Sequence, residues 1–227
     1  MPKGAAGPIA RSQRNVFINV PFDRAYSDLF LALVVALVRL GRVPHCALEV
    51  PEVGNGRLHR ILDLIKACPV SFHDVSRVHG RHNMPFELGL ACAAKHLGRA
   101  EHHYFVLESV PYRIQRTLSD LNGTDAHVHE NKVDLVLNAV VSCLSSGTDD
   151  PSVADLRNLF DAAKQGLKAI KRAQLSDTVF SRPVFQNLVA LASELSRPAA
   201  RPRRSSRVTT LDPFRGPPLP RPRRRTA

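Results

Sequence analysis

The sequence predicts a doubly wound α/β fold: five parallel strands, helices on both faces and two further helices after the last strand. Three observations indicate it. Short β-type apolar runs alternate with segments of helical length across residues 15 to 144. The connections between them are short, as in successive βαβ units. The conspicuous polar clusters follow strands, whose carboxyl ends form one edge of a parallel sheet.

The elements alternate in order along the chain. The strands are predicted at 15–21, 42–50, 69–75, 102–108 and 125–129, the last being weak. The helices that follow them are predicted at 25–41, 56–68, 85–98, 111–123 and 132–144. The run from Leu29 to Val38 is apolar throughout and is predicted to be a buried helix. This alternation is typical of a flavodoxin-like arrangement.

After Gly147 the pattern changes to two amphipathic helices, predicted at 149–174 and 182–196. Two helices cannot form a core alone, so we expect them to pack on the sheet domain, on a second copy of the chain or on a partner. The predicted organisation is a disordered N-terminus at 1–14, an α/β domain at 15–147, a helical extension at 148–196 and a disordered Arg/Pro-rich tail at 197–227.

The net charge of +12 belongs mainly to the tail. From Arg197 onward there are ten arginines and one aspartate, so the rest of the chain carries only +3. Such a segment has too little apolar surface to order itself. Its arginines predict weak, non-specific contact with a polyanion; an acidic partner surface, or no function, are the alternatives. Phe214 alone offers a ring for base stacking, which disfavours sequence-specific binding.

The composition disfavours several classes of protein. No apolar run approaches the ~20 residues of a membrane span, and the N-terminus lacks the order of a signal peptide. We therefore expect a cytoplasmic protein without membrane contact. The four cysteines form no Cys-x-x-Cys pair and are expected to be buried thiols. The histidine pairs at 79/82 and 127/129 lack further ligands, so no metal site is predicted.

The stretch FHDVSRVHGRHNMPFELGLA, residues 72–91, contains the main candidate for chemistry. Pro85 is predicted to open a helix with Glu87 in its first turn, across a polar loop from Asp74. An acid there either stabilises the helix N-terminus, by ~0.3–1 kcal/mol, or faces a ligand crevice. Gly89 is expected to keep the next turn small so that a ligand or strand can approach. An ionised carboxylate in a crevice can attack or stabilise an electron-poor sugar carbon as a base departs.

Three motifs taken together resemble a known superfamily. They are FINVPFD along and after the first strand, HDVSR at the end of the third, and NMPFELGLA at the next helix. As a set they are similar to the nucleoside 2-deoxyribosyltransferase and Toll/interleukin-receptor (TIR)-like superfamily, in particular to small bacterial TIR-like proteins. The resemblance covers about residues 15 to 145. It implies a domain that cleaves an N-glycosidic bond and, on the resemblance alone, a role in bacterial defence.

The resemblance also implies roles for individual residues. Glu87 is implied to be catalytic, as the nucleophile of the transferases or the essential acid of NAD-cleaving TIR domains. Asp74 matches the position that contacts sugar hydroxyls. The residues implied to bind substrate lie in the same motifs and are Asn19, Pro21, Phe22, Asp23, Asp74, Ser76, Arg77, Asn83 and Met84. The transferases carry an Asp-x-Gly-Thr-type stretch where this chain has residues 81–85, so cleavage is favoured over transfer to a second base.

Leaving-group chemistry favours NAD, as a substrate rather than a cofactor, and no cofactor is predicted. A neutral purine usually needs protonation to depart. Nicotinamide in NAD is already a pyridinium and leaves as a neutral molecule, so one carboxylate suffices. His73, His79 and His82 are candidate acids for a neutral base. Arg57 and Arg77 are close enough in sequence to meet a phosphate.

Two other functions stay open beside catalysis. The first is a nucleotide-sensing module that keeps the pocket and reports its occupancy through the C-terminal helices. The second is a receiver-like signalling domain, which is disfavoured because the first strand lacks an acidic pair and the fifth lacks a lysine. Fold alone does not decide among these functions. Sites of the TIR type are often completed by a neighbouring subunit, so the resemblance also implies a homo-oligomer.

Overall fold

The computed structural model describes residues 9–49, 56–77, 82–98, 101–145, 147 and 149–197. The tail predicted to be disordered therefore lies outside the described residues, apart from Arg197, and so does the loop at 78–81 that contains His79. The chain up to Arg197 forms one compact unit. The segment predicted as a helical extension thus belongs to the same unit as the sheet.

Five parallel strands form one sheet. They are β1 (Asn15–Asn19), β2 (Val43–Cys46), β3 (Val70–Asp74), β4 (His103–Glu108) and β5 (Ala126–Val128). Their order is β2-β1-β3-β4-β5, so the direction of winding reverses between β1 and β3. The predicted flavodoxin-like fold class is confirmed. β2 is shorter than predicted because Ala47–Glu49 turn into a short 3-10 helix.

Seven α-helices lie within the described ranges. They are α1 (Ser27–Arg39), α2 (Arg57–Ala67), α3 (Asn83–Leu97), α4 (Arg113–Thr117), α5 (Val133–Leu144), α6 (Val153–Ala173) and α7 (Arg182–Leu195). The prediction of one helix over 111–123 is wrong in extent. Tyr112 takes a left-handed conformation with φ 58°, so α4 begins after it, and Ser119–Leu121 form a separate 3-10 turn. Over this same part of the chain, no helix has the length and apolar character that crossing a membrane requires.

Helix α1 is covered on every side. Each residue from Leu29 to Val38 is at most 8% exposed. One side of α1 faces the sheet, where it contacts β2 and shares an apolar core with residues of β1 and β3, while α5, α6 and α7 cover the rest of it. Phe160 of α6 and Phe185 of α7 are fully inside this core. A helix that is apolar all round needs such a cover. Of the arrangements expected for the two C-terminal helices, the structure shows packing on the sheet domain.

Helices α2 and α3 pack on the opposite face of the sheet. Phe17 of β1 packs among Ile61 and Leu64 of α2. Leu88 of α3 packs with Val106 of β4 in a neighbouring cluster. These contacts hold the first turns of α2 and α3 beside the carboxyl end of β1.

The described chain makes tertiary contacts before β1 begins. Arg11 donates from its guanidinium to the carbonyl oxygens of Lys66, at 2.6 Å, and Glu101, at 2.8 Å. The side chain of Asn15 donates to the carbonyl of Ala10. Residues 10 and 11, which fall in the N-terminus predicted to be disordered, are therefore in contact with the body of the fold.

Candidate active site

An open pocket lies at the carboxyl edge of the sheet, beside the reversal of winding between β1 and β3. Its volume is about 280 Å³, close to the lower end of the range for small-molecule sites. The end of β1, the residue after β2 and the first residues of α2 and α3 surround it. Ligands of open α/β sheets bind at this position.

Half of the predicted site residues meet in this pocket. They are Asn19, Phe22, Asn83, Met84 and Glu87. Arg57 and His82, considered from the sequence as contacts for a phosphate and as a candidate acid, line it as well. The apolar lining of Ile18, Val20 and Ala47 was not predicted, because apolar residues at strand ends carry no signal that separates a pocket from the core.

Glu87 is the buried acid of the pocket. Helix α3 begins at Asn83 and not at Pro85, so Glu87 lies in the second turn rather than the first, and the prediction is wrong here. Proline is tolerated within a first turn, where its missing N–H has no helical partner. Glu87 is only 5% exposed, and no described residue donates a hydrogen bond to its carboxyl. The N-terminal stabilisation of a helix falls off within its first turn, so Glu87 is not placed for this alternative role.

The pKa of Glu87 follows from this setting. Burial raises it from 4.5 to about 7, and the positive charge of Arg57 opposes part of the rise. At neutral pH the pocket therefore holds protonated and ionised forms in comparable amounts. The ionised form can stabilise or attack a cationic sugar carbon, and the protonated form can give a proton to a leaving base. Such shifted acids are concentrated at functional sites.

Gly89 does not bring a ligand close to α3. It lies on the exposed side of the helix, and a Cβ built there meets no atom within 4 Å. Residues two apart point to different sides of a helix, so Gly89 turns away from the pocket that Glu87 faces. The expected role of this glycine is wrong.

Asp74 lies outside the pocket, at the centre of a buried hydrogen-bond network. One carboxylate oxygen accepts from the main-chain N–H of Ser76 at 2.9 Å and from its hydroxyl. The other accepts from the Tyr26 hydroxyl at 2.6 Å and from His129 Nε2 at 2.9 Å. Both oxygens are satisfied within the protein, and neither Asp74 nor Ser76 lines the pocket. This arrangement does not provide the implied contact between Asp74 and sugar hydroxyls.

Asp23 and Arg77 bind each other. The distance from Arg77 Nε to Asp23 Oδ2 is 3.1 Å, and the hydrogen bond raises the pKa of Arg77. Asp23 also accepts from the main-chain N–H of Tyr26, which caps the turn before α1. Neither side chain lines the pocket, and nor does the buried Pro21.

A chain of buried hydrogen bonds leads from the pocket into the sheet. Asn19 Nδ2 lies 3.0 Å from the carbonyl oxygen of Met84 and 2.9 Å from His73 Nδ1. His73 Nε2 lies 2.8 Å from Ser71 Oγ, which lies 3.0 Å from His102 Nε2. His73 is fully buried. Burial, and to a lesser degree His102, lowers the pKa of His73 to about 3, so the ring is neutral.

A second open cavity, of about 240 Å³, lies near the ends of β4 and β5. Glu108 lines it and is only 1% exposed. Its carboxylate forms an ion pair with Arg113 and accepts from the main-chain N–H of Ser109. Arg113 also donates to the carbonyl of Ser76 at 2.7 Å. Glu108 is therefore paired, in contrast to Glu87.

Among the described residues, no three His, Cys, Asp or Glu side chains come together in a way that could hold a metal ion. No family model matches the sequence, and no curated protein or solved structure matches the chain. The pocket and Glu87 therefore carry the functional argument, and the superfamily resemblance stays a prediction.

Proposed function

We propose that the protein cleaves the N-glycosidic bond of a nucleotide, with Glu87 as the catalytic carboxyl and NAD as the first candidate substrate. The observation that carries the proposal is a 5% exposed acid without a hydrogen bond from the described residues, facing a pocket where such sheets bind ligands. Buried acids with a structural role are paired, as Asp74 and Glu108 are here. The cytoplasmic location and the role in bacterial defence rest on the sequence alone.

The proposed reaction places the anomeric carbon of the sugar beside Glu87. As the bond to the base breaks, its electron pair leaves with the base, and the sugar ring becomes an oxocarbenium-like cation. The ionised carboxylate either stabilises this cation until water adds to the carbon with loss of a proton, or forms an ester bond to that carbon. In the second case water attacks the same carbon, the ester bond breaks to return the carboxylate, and a proton is released. Nicotinamide leaves NAD as a neutral molecule and needs no acid. Arg57, which lines the pocket, is available to pair with a phosphate.

The raised pKa of Glu87 supports a second substrate class for the same reaction, a nucleotide with a neutral base. Such a base leaves more readily when it is protonated, and protonated Glu87 is a donor for it. The two classes predict opposite pH profiles. Cleavage of NAD should rise as the pH increases through about 7, whereas cleavage of a neutral base should fall.

The test follows base release from NAD and from AMP by chromatography, with the full chain at several concentrations because a homo-oligomer is implied. Glu87→Gln should lower the rate by ~100- to 1,000-fold, since it removes a preorganised charge. Glu101→Gln is the matched control: this side chain is 82% exposed, and the variant should keep the wild-type rate. Equal rates in wild type and Glu87→Gln would remove Glu87 from the mechanism. Nucleotide binding without base release in either protein would favour the sensing module.

A further inference from the structure

We propose that Asn19 makes this pocket specific for a ribose with a free 2′-hydroxyl, by presenting a fixed acceptor oxygen, and that His73 holds the Asn19 amide in this orientation. The proposal rests on the proposed function in one respect, the placement of the anomeric carbon beside Glu87. It makes Asn19 a specificity-determining residue and His73 a positioning residue.

Two partners hold the Asn19 amide, and the main-chain one identifies which amide atom faces them. Its Nδ2 lies 3.0 Å from the carbonyl oxygen of Met84, which can only accept a hydrogen bond. The amide nitrogen must therefore face Met84, because a flipped amide would place two acceptor oxygens together. The same nitrogen lies 2.9 Å from His73 Nδ1. Both of its hydrogens are thus engaged.

The contact with the amide also identifies the tautomer of His73. Because Nδ1 accepts, the single proton of the neutral ring is on Nε2, which donates to Ser71 Oγ at 2.8 Å. The Ser71 hydroxyl then donates to His102 Nε2 at 3.0 Å. His73 stays neutral at physiological pH because burial lowers its pKa to about 3. The chain of hydrogen bonds therefore runs in one direction, away from the pocket.

This leaves Oδ1 as the polar atom that Asn19 offers to a ligand. Asn19 lines the pocket. Its Oδ1 accepts no hydrogen bond from the described residues, and the atom keeps some contact with solvent. Met84, which the amide binds, precedes Glu87 by three residues in α3. Residues three apart lie on one side of a helix, about one turn of ~5 Å from each other. Asn19 and Glu87 line the same pocket, so one ligand can meet both side chains.

The position of the sugar beside Glu87 determines which of its hydroxyls can donate to Asn19 Oδ1. With the anomeric carbon of a nucleotide at Glu87, that carbon carries the base, and the nearest hydroxyl of the ribose is the one on the adjacent carbon, the 2′-hydroxyl. A 2′-deoxyribose has no donor there, so its binding would bury Oδ1 without a partner. Sites built to bind a hydroxyl reject analogues that lack it. The pocket should thus prefer ribonucleotides to 2′-deoxyribonucleotides.

The test compares ribose 5-phosphate with 2-deoxyribose 5-phosphate, by NMR titration of the ¹⁵N-labelled full chain. Neither sugar carries a base, so the result does not depend on catalysis. Wild type should bind ribose 5-phosphate about tenfold more tightly, the value of one hydrogen bond. Asn19→Leu, of similar size without the acceptor, should bind both sugars equally. Equal affinities in wild type, or no binding of either sugar, would overturn the proposal.

Two variants test the positioning role of His73. Glutamine offers an acceptor and a donor, like the neutral ring, so His73→Gln should keep the preference for ribose 5-phosphate. His73→Leu removes the acceptor for Asn19 and should reduce that preference. The ring ¹⁵N shifts of wild type should show the Nε2–H tautomer, a readout that packing alone does not determine. An Nδ1–H tautomer, an imidazolium, or an undiminished preference in folded His73→Leu would overturn this role.

The inference and the proposed function can fail separately. Base release that depends on Glu87, without a preference between the two sugars, would overturn the inference and leave the proposed function standing. A preference for ribose 5-phosphate without base release would overturn the proposed function and leave the inference standing, because binding by Asn19 needs no chemistry at Glu87.

Discussion

Tyr26 donates a hydrogen bond of 2.6 Å to Asp74, and both side chains are fully buried. The bond joins the turn before α1 to the end of β3. Burial, followed by the charge of Asp74, raises the pKa of Tyr26, so the hydroxyl keeps its proton and acts as the donor. His129, just after β5, donates to the same oxygen at 2.9 Å. Three parts of the fold therefore meet at one buried carboxylate.

Tyr26→Phe should lower the free energy of unfolding by about 1.5–3 kcal/mol, because it removes a buried donor from a charged acceptor. The measurement is urea denaturation at neutral pH. Tyr112→Phe is the matched control, since Tyr112 is 76% exposed, and it should change the value by less than about 0.5 kcal/mol. Equal effects of the two substitutions would contradict the structural role of the bond.

The stability of the protein should depend on pH through Glu87. Its pKa in the folded chain, about 7, lies above the ordinary value of 4.5. The unfolded chain therefore releases this proton at lower pH, and the folded state loses stability as the pH rises from about 4.5 through 7. Glu87→Gln has no proton to lose there. It should resemble wild type near pH 4.5 and be more stable at pH 8, by of the order of 2–3 kcal/mol.

Denaturant unfolding of both proteins at the two pH values checks this. The stabilisation expected for Glu87→Gln at pH 8 is larger than the change in stability that would follow from removing an exposed charge at a helix start. Should Glu87→Gln be the less stable protein at pH 8, the carboxyl would have a stabilising partner, and its availability for chemistry would be refuted.

Gly89→Ala should stabilise the protein by about 0.8–1 kcal/mol, because alanine is the better helix former and its Cβ meets no atom within 4 Å. The rate of base release should not change. Gly41→Ala is the contrasting control: Gly41 has φ +71°, where a Cβ costs roughly 1–2 kcal/mol. Thermal unfolding of both variants gives the comparison. Lower activity of Gly89→Ala would restore a role for this glycine at the pocket.

Phe185→Ala should lower the free energy of unfolding by about 3–5 kcal/mol, as expected for a large side chain removed from a core. Phe185 is 1% exposed, and its ring centroid lies 5.7 Å from that of Phe30 in α1. Leu97→Ala, at a site that is 84% exposed, should have little effect. Denaturant unfolding measures both. A small loss for Phe185→Ala would mean that α7 does not complete the core.

Much of the fold could be predicted because apolar periodicity reports burial directly. The uninterrupted apolar run from Leu29 to Val38 predicted a buried helix, and α1 is covered on all sides. The ends of α3 and α4 could not be placed as well. Pro85 marks a first turn but not its first residue, and the left-handed conformation of Tyr112 has no signal in the sequence.

The site was predicted in part, because strand order locates an edge but not the depth of a side chain there. His73 and Asp74 are neighbours in β3, and successive strand residues point to opposite faces. His73 therefore joins Asn19 beside the pocket, whereas Asp74 joins Tyr26 on the side of α1. The alternation of side chains along a strand was the signal in the sequence that could have placed His73 and Asp74 on opposite faces of the sheet. No such signal predicted the part played by His102, because its hydrogen bond to Ser71 joins parts of the chain that no motif connects.

The complete burial of α1 has a consequence for biosynthesis. The helix is synthesised before the elements that cover it, and Phe185 of α7 follows about 150 residues later. At about 5–20 residues per second, this interval lasts roughly 7 to 30 s. Throughout it, the nascent chain carries an apolar helix without its native cover. The native core around α1 therefore cannot close until α7 has been synthesised, and α1 is the segment that a chaperone would need to shield until then.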